Sequence, residues 1–116
     1  MRWTKISPRE NAGVTVLDVE GVMGPSNEDL LVATVARAVE KGARKFVLNF
    51  EKEPHLDSGG LGEILRAYTA STRQGGSLVL ANIHPRIKHL FEITKLTDVV
   101  ISYDSEAQAV QALGGT

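Results

Sequence analysis

The chain has no cysteine among its 116 residues. Disulfide staples and thiolate metal sites are therefore excluded, and the composition suits a reducing compartment. Aromatic residues make up 5% of the chain, and its single tryptophan, Trp3, stands between Arg2 and, two residues on, Lys5. One such ring is too sparse for a base-stacking platform and reads as hairpin packing. Neither sign of charge dominates: 13 basic and 14 acidic residues leave a net charge of −1. Without a basic stripe, nucleic acid is not an expected partner. No apolar run approaches the ~20 residues that cross a bilayer, and the opening MRWTKISPRENAG lacks the apolar stretch of a signal peptide. These absences lead to the expectation of a cytoplasmic protein with no direct membrane insertion, which reaches a membrane only as a recruited subunit.

What remains is ordinary globular composition, 42% apolar and 23% charged. It suffices for one core in one domain over residues 1–116. The order of elements follows from local patterning. Trp3 to Ser7 reads as a strand ended by Pro8, with a turn through Asn11 and Gly13. Val14 to Glu20 alternates and stops at Gly21, so the two pair as a hairpin. Gly24 and Pro25 mark a loop, and Ser26 is the expected N-cap of a helix with Glu28 in its first turn and Asp29 three residues after the cap. Leu31, Val35 and Ala38 form its apolar stripe, and Gly42 stops it.

Phe46, Val47, Leu48 and Phe50 give a strand covered on both faces, followed by a polar loop from Glu51 to His55. A second helix opens near Ser58, with Leu61, Ile64, Leu65 and Tyr68 as its core face, and ends at Gly75 and Gly76. Leu78 to Ala81 is a buried strand. Pro85 starts a short helix carrying Ile87, Leu90 and Phe91. Val99 to Ser102 is the last strand, and Ser105 with Gln108 caps a final helix through Ala109 and Leu113. The alternation after the hairpin predicts an α/β fold with a largely parallel sheet joined by right-handed crossovers.

One segment breaks the local rules: His55-Leu56-Asp57-Ser58-Gly59-Gly60-Leu61-Gly62. A glycine inside a helix costs about 1 kcal/mol relative to alanine, and three fall in or beside this first turn. Glycines there leave backbone N–H groups uncovered and admit a close surface, and the positive end of a helix tolerates an anion. Two interpretations follow. Either Asp57 and Ser58 merely cap the helix while the glycines permit a tight turn, or Ser58 is a modification site on a docking surface. A phosphate would add about −1.5 to −2 charge at neutral pH. The helix end accommodates that charge, whereas an apolar or acidic partner is repelled.

Other chemistries fit less well. A Walker-type loop requires Gly-Lys-Ser/Thr, and Gly62 is followed by Glu63 and Ile64. His55, Asp57 and Ser58 are too close in sequence to align as a hydrolase triad, and the Gly-x-Ser-x-Gly elbow is absent. His84 and His89 have no second ligand pair and read as surface residues rather than metal ligands. No cofactor, metal or catalytic residue is expected.

With these residues in view, the chain resembles the STAS domain family, in particular the bacterial anti-sigma factor antagonists, over nearly its whole length. Val47-Leu48-Asn49-Phe50 resembles the family's central strand. Asp57-Ser58-Gly59-Gly60-Leu61-Gly62 resembles its Asp-Ser-Ser/Thr-Gly-Leu-Gly motif. Gly75 to Asn82, followed by Pro85, Leu90, Phe91 and Leu96, resembles the next strand and helix. Tyr103-Asp104-Ser105 with Ala107 and Ala109 resembles the start of the C-terminal helix.

The resemblance implies a single STAS-like domain, a mixed, mostly parallel sheet of about five strands with about four helices packed mainly on one face. It implies a regulator rather than an enzyme, binding an anti-sigma factor or serine-kinase regulator and released when Ser58 is phosphorylated, with a phosphatase restoring the complex. The implied partner surface comprises Asp57, Ser58, Gly59, Gly60, Leu61, Gly62, Gly24 and Ser26. There are departures. Gly59 replaces a hydroxyl residue, Gly21-Val22-Met23-Gly24 replaces the family's Gly-Glu-Leu/Ile-Asp, and Glu53, Pro54 and His55 make the approach to the motif more polar. The lost acidic pair favours an alternative, a constitutive scaffold or small cytoplasmic subunit of a stressosome or lipid-transport ATPase complex.

Overall fold

A computed structural model describes residues 4–23 and 29–115 and, at Ser58, the backbone alone. Trp3, Gly24, Pro25, Ser26 and Glu28 lie outside the described residues, and with them the expectations placed on those positions. The chain opens with an antiparallel hairpin, β1 (Thr4–Asn11) and β2 (Val14–Met23). Its turn is Ala12-Gly13, both at positive φ (53° and 83°). That is the primed turn whose twist matches the paired strands.

Both strands run further than the local signals predict. Pro8 lies inside β1, opposite Leu17, instead of ending it. β1 is the edge of the sheet, where a missing N–H on the unpaired side breaks no ladder. β2 passes through Gly21, whose φ of 93° only glycine adopts without strain. The bend lets one strand serve two neighbours. Thr15 to Asp18 pair with β3 (Lys45–Asn49), and Val22-Met23 pair with the two-residue strand β4 (His55–Leu56). β4 begins at the last residue of the polar loop expected from Glu51 to His55, and two residues are too few to show a periodicity.

Completing the sheet are β5 (Ser77–Ala81) and β6 (Ser102–Tyr103), in the order β1-β2-β3-β5-β6, parallel from β2 onward. The last strand begins later than expected. Val99 closes a turn onto Leu96 and stays 42% exposed, while Ile101 reaches the sheet only through its carbonyl, which accepts from Leu80 N–H at 2.9 Å. Four helices lie among the described residues: α1 (Leu30–Glu40), α2 (Ser58–Arg73) and α3 (Pro85–Ile93) join strands, and α4 (Glu106–Ala112) follows β6.

Alternation along the central strands divides the core in two. Leu17, Val19, Phe46, Leu48, Leu78 and Leu80 face α1, α2 and α3. Val14, Val16, Val47, Val79 and Ala81 face α4 through Ala109 and Val110. Three helices thus cover one face and one helix part of the other. Caps behave largely as the residue types require. Gln108 N–H donates to Ser105 Oγ at 3.1 Å, Pro85 occupies the first turn of α3, and Arg86 N–H donates to Nδ1 of His84. α1 differs: it starts at Leu30 from Asp29, which has φ 66° and makes no side-chain cap.

Beyond α4, the sheet face is polar. Arg9 Nε donates to Asp18 Oδ2 at 2.6 Å, Arg9 Nη1 to Glu106 Oε2 at 2.9 Å, and Asn11 Nδ2 to the same oxygen at 2.7 Å. Asn49 on β3 bridges Asp18 on β2 (2.8 Å) and Asn82, just after β5 (2.7 Å). Hydrogen bonds from Arg9 hold both the Asp18 and the Glu106 carboxyl below the usual carboxylate range, and the same bonds raise the guanidinium. A carboxylate whose folded pKa is depressed contributes stability that is present above its unfolded value, about 4, and lost as pH falls through the folded value.

Arg9→Gln is therefore expected to cost about 1 kcal/mol near neutrality at low salt, less at high salt because the guanidinium is partly solvated. It is also expected to flatten the loss of stability below about pH 4. Urea unfolding from pH 6 down to 2.5 would check both; an acid limb unchanged by the substitution would contradict the network's role.

Candidate functional site

The segment singled out in sequence becomes the junction between β4 and the start of α2. Asp57 is extended (φ −111°, ψ −173°), and its Oδ1 accepts from Gly60 N–H at 3.0 Å while its carbonyl accepts from Leu61 N–H at 3.0 Å. Asp57 is thus the N-cap, and the helix begins at Ser58. The first turn carries no acidic residue. The cap carboxylate is accordingly the chain's own acidic group at the positive end of the helix. Asp57 N–H in turn donates to Met23 O at 3.3 Å, fastening the cap to the end of β2.

The three glycines have different surroundings. Gly60 is buried: a Cβ built there would lie 2.5 Å from Met23 O and 2.5 Å from Leu56 Cδ1. The close surface admitted at this position is the chain's own β2 and β4, a correction to the expectation that the glycines open the helix to another protein. Leu61, 9% exposed, likewise points into the core. Gly59 and Gly62 are half-buried, and a Cβ on Gly62 would meet only Arg66 Nη1 at 3.5 Å. Among the residues proposed for a partner surface, Asp57, Gly59 and Gly62 are therefore partly accessible, whereas Gly60 and Leu61 seat the helix. Gly24 and Ser26 lie outside the described residues.

His55 belongs to β4 and lines a cavity shared with α3. At the same junction lies a residue that the sequence passed over. Glu63 is 2% exposed, and its Oε1 accepts from Leu31 N–H at 2.6 Å. It supplies from α2 the acceptor that Asp29 does not provide for α1. The most buried line of α2 runs through Gly60, Glu63, Ile64, Ala67 and Ser71. Leu65 and Tyr68 are only half-buried at its side.

The chain matches the model of the STAS domain over residues 5–109. It belongs to the STAS domain family. Among curated STAS-type relatives, the anti-sigma F factor antagonist of Paenibacillus polymyxa is 24% identical over 110 residues, covering 94% of each chain. The anti-sigma-B factor antagonist of Staphylococcus aureus is 30% identical over 86 residues, covering 74% of this chain and 68% of that one. Among solved structures, the Bacillus cell-fate determinant SpoIIAA has the same fold. Its unphosphorylated form superposes with a TM-score of 0.74 at 17% identity, covering 97% of this chain and 99% of that one. Its phosphorylated form gives 0.68 at 18% identity, covering 93% and 98%. The STAS fold expected from the motif order is thus present: one domain, a mostly parallel sheet and four helices, three of them on one face. Among the described residues five strands form the path of the sheet, as expected, and β4 is added to it beside β2.

Proposed function

We propose that this STAS domain is an anti-sigma factor antagonist that binds its partner at the entrance of α2 when Ser58 is unphosphorylated and releases it when Ser58 carries phosphate. Support comes chiefly from the position of Ser58 as the first residue of α2, immediately after the Asp57 cap. There the fold already satisfies Gly60 N–H with Asp57, so the helix start does not need the serine as its cap. A phosphate on the first helical residue sits at the positive end of the helix dipole, and the domain tolerates it. A partner surface pressed against the same rim would have to bury two negative charges beside Asp57, and it leaves. The names of the curated relatives and the two phosphorylation states of the SpoIIAA structure agree with this scheme.

The partner is an anti-sigma factor or a related serine-kinase regulator, and the rim it meets comprises Asp57, Ser58, Gly59 and Gly62; Gly24 and Ser26, outside the described residues, are further expected contacts. Incubated with ATP and such a kinase, the native protein is expected to gain one phosphate, located at Ser58 by mass spectrometry, and Ser58→Ala none. Ser58→Asp is expected to weaken partner binding by at least about tenfold. Phosphate that persists on Ser58→Ala would remove Ser58 from the scheme. Binding indifferent to Ser58→Asp, in a large assembly, would favour the constitutive scaffold instead.

A further inference from the structure

A cavity of about 550 Å³ lies between the β4 segment and α3, outside the α2 rim. Its size is that of a small-molecule site. Its apolar lining is Leu56, Ile87, Leu90 and Ile93, and Ile93 is 64% exposed, the most open large apolar side chain described. The cavity also has donors in its lining. All three histidines of the chain, His55, His84 and His89, line it together with Arg86. Nδ1 of His84 accepts from Arg86 N–H at 3.1 Å, and its Nε2 lies 3.9 Å from Glu53 Oε1. Glu53 is the one acidic residue in the lining.

The geometry points to a binding site for an anionic amphiphile, a single carboxylate head on an unbranched apolar chain. Arg86 supplies a permanent positive charge and a planar pair of donors for the head. The histidines add N–H donors, and the chain of the ligand covers Leu90 and Ile93, removing apolar surface from water. Glu53 competes with the head for His84, so its charge works against binding. None of this depends on the antagonist function. Leu56 directly precedes Asp57, so the site adjoins the α2 rim without including it.

The test is a titration of the intact protein with dodecanoate below its micelle-forming concentration, followed by amide chemical shifts. The expected result is saturable shifts confined to residues 53–56 and 84–93. Arg86→Gln should weaken binding by about tenfold or more, and Glu53→Gln should strengthen it. Both residues are exposed, the Glu53 side chain at 71%, so both variants keep the fold, checked by unchanged thermal unfolding. Equal binding of dodecanol or dodecylamine would overturn the proposal, as would shifts that never saturate or that ignore Arg86→Gln. A synthetic peptide alternating leucine and glutamate that binds where dodecanoate does not would also overturn it, assigning the cavity to a protein partner.

Discussion

Glu63→Ala is expected to lower the stability of the domain by about 3 kcal/mol, because it removes a buried acceptor and leaves both a void and an orphaned N–H. Burying a charged side chain without partners is costly, so a glutamate at 2% exposure requires strong compensation. Part of that compensation is Leu31 N–H at 2.6 Å, in the first turn of α1. The first backbone N–H groups of a helix have no acceptor within it and are normally met by the N-cap side chain. Asp29 does not do this, and the Glu63 side chain reaching over from α2 does.

A graded series separates the contributions. Glu63→Gln keeps an acceptor of nearly the same size and should cost about 1 kcal/mol. Glu63→Leu keeps the volume but strands the N–H and should cost about 2 kcal/mol. Urea unfolding with an unchanged m-value reads all three directly. Equal, small losses across the series would mean that the carboxylate does not hold α1 in place.

Much of this architecture was legible in the residues, and the exceptions have physical causes. Strands β3 and β5 are legible because both their faces are covered, which forces near-continuous apolar runs such as Phe46-Val47-Leu48. The caps at Asp57 and Ser105 are legible because their chemistry is local. What failed depended on neighbours distant in sequence. Pro8 breaks a strand only where its missing N–H faces a partner, and β1 is an edge. Gly21 reads as a stop, yet its positive φ carries β2 onto β4.

The face of α2 was assigned from its large apolar residues, Leu61, Ile64, Leu65 and Tyr68. The observed burial is rotated toward Gly60, Glu63, Ala67 and Ser71, small or charged residues that carry no hydrophobic signal but allow close approach. The available clue was the run of small residues at helical spacing, which is what a helix lying tightly against its neighbours needs. The site was likewise half legible. The motif located the start of α2, but which of its glycines face inward depended on Met23 and Leu56, and neither is visible from the motif itself.

Those glycines supply the second large effect, a pair of identical substitutions two residues apart with opposite signs. Gly62→Ala is expected to stabilise the domain by up to about 1 kcal/mol, since alanine is the better helix former and the added Cβ meets only the flexible end of Arg66 at 3.5 Å. Gly60→Ala gains the same propensity but drives its Cβ to 2.5 Å from the backbone oxygen of Met23. A backbone atom of a paired strand cannot swing aside as a long side chain does. Met23 is held in the ladder with Leu56, and its carbonyl accepts from Asp57 N–H. The helix must therefore lift away from β2, loosening the Asp57 cap and the packing of Ile64 and Ala67 below it. Overpacking of this kind costs about 1–3 kcal/mol, so the two variants should differ by about 2–4 kcal/mol in urea unfolding. The difference also separates the inward and outward glycines functionally. Gly62→Ala alters the proposed partner rim without loosening the fold, so its effect on partner binding reports on contact alone. Gly60→Ala should weaken binding only in proportion to the fraction of domains whose α2 entrance has shifted. If Gly60→Ala were as stable as Gly62→Ala, the helix would not rest on Met23, and the seating of Ser58 at the start of α2 would need a different support.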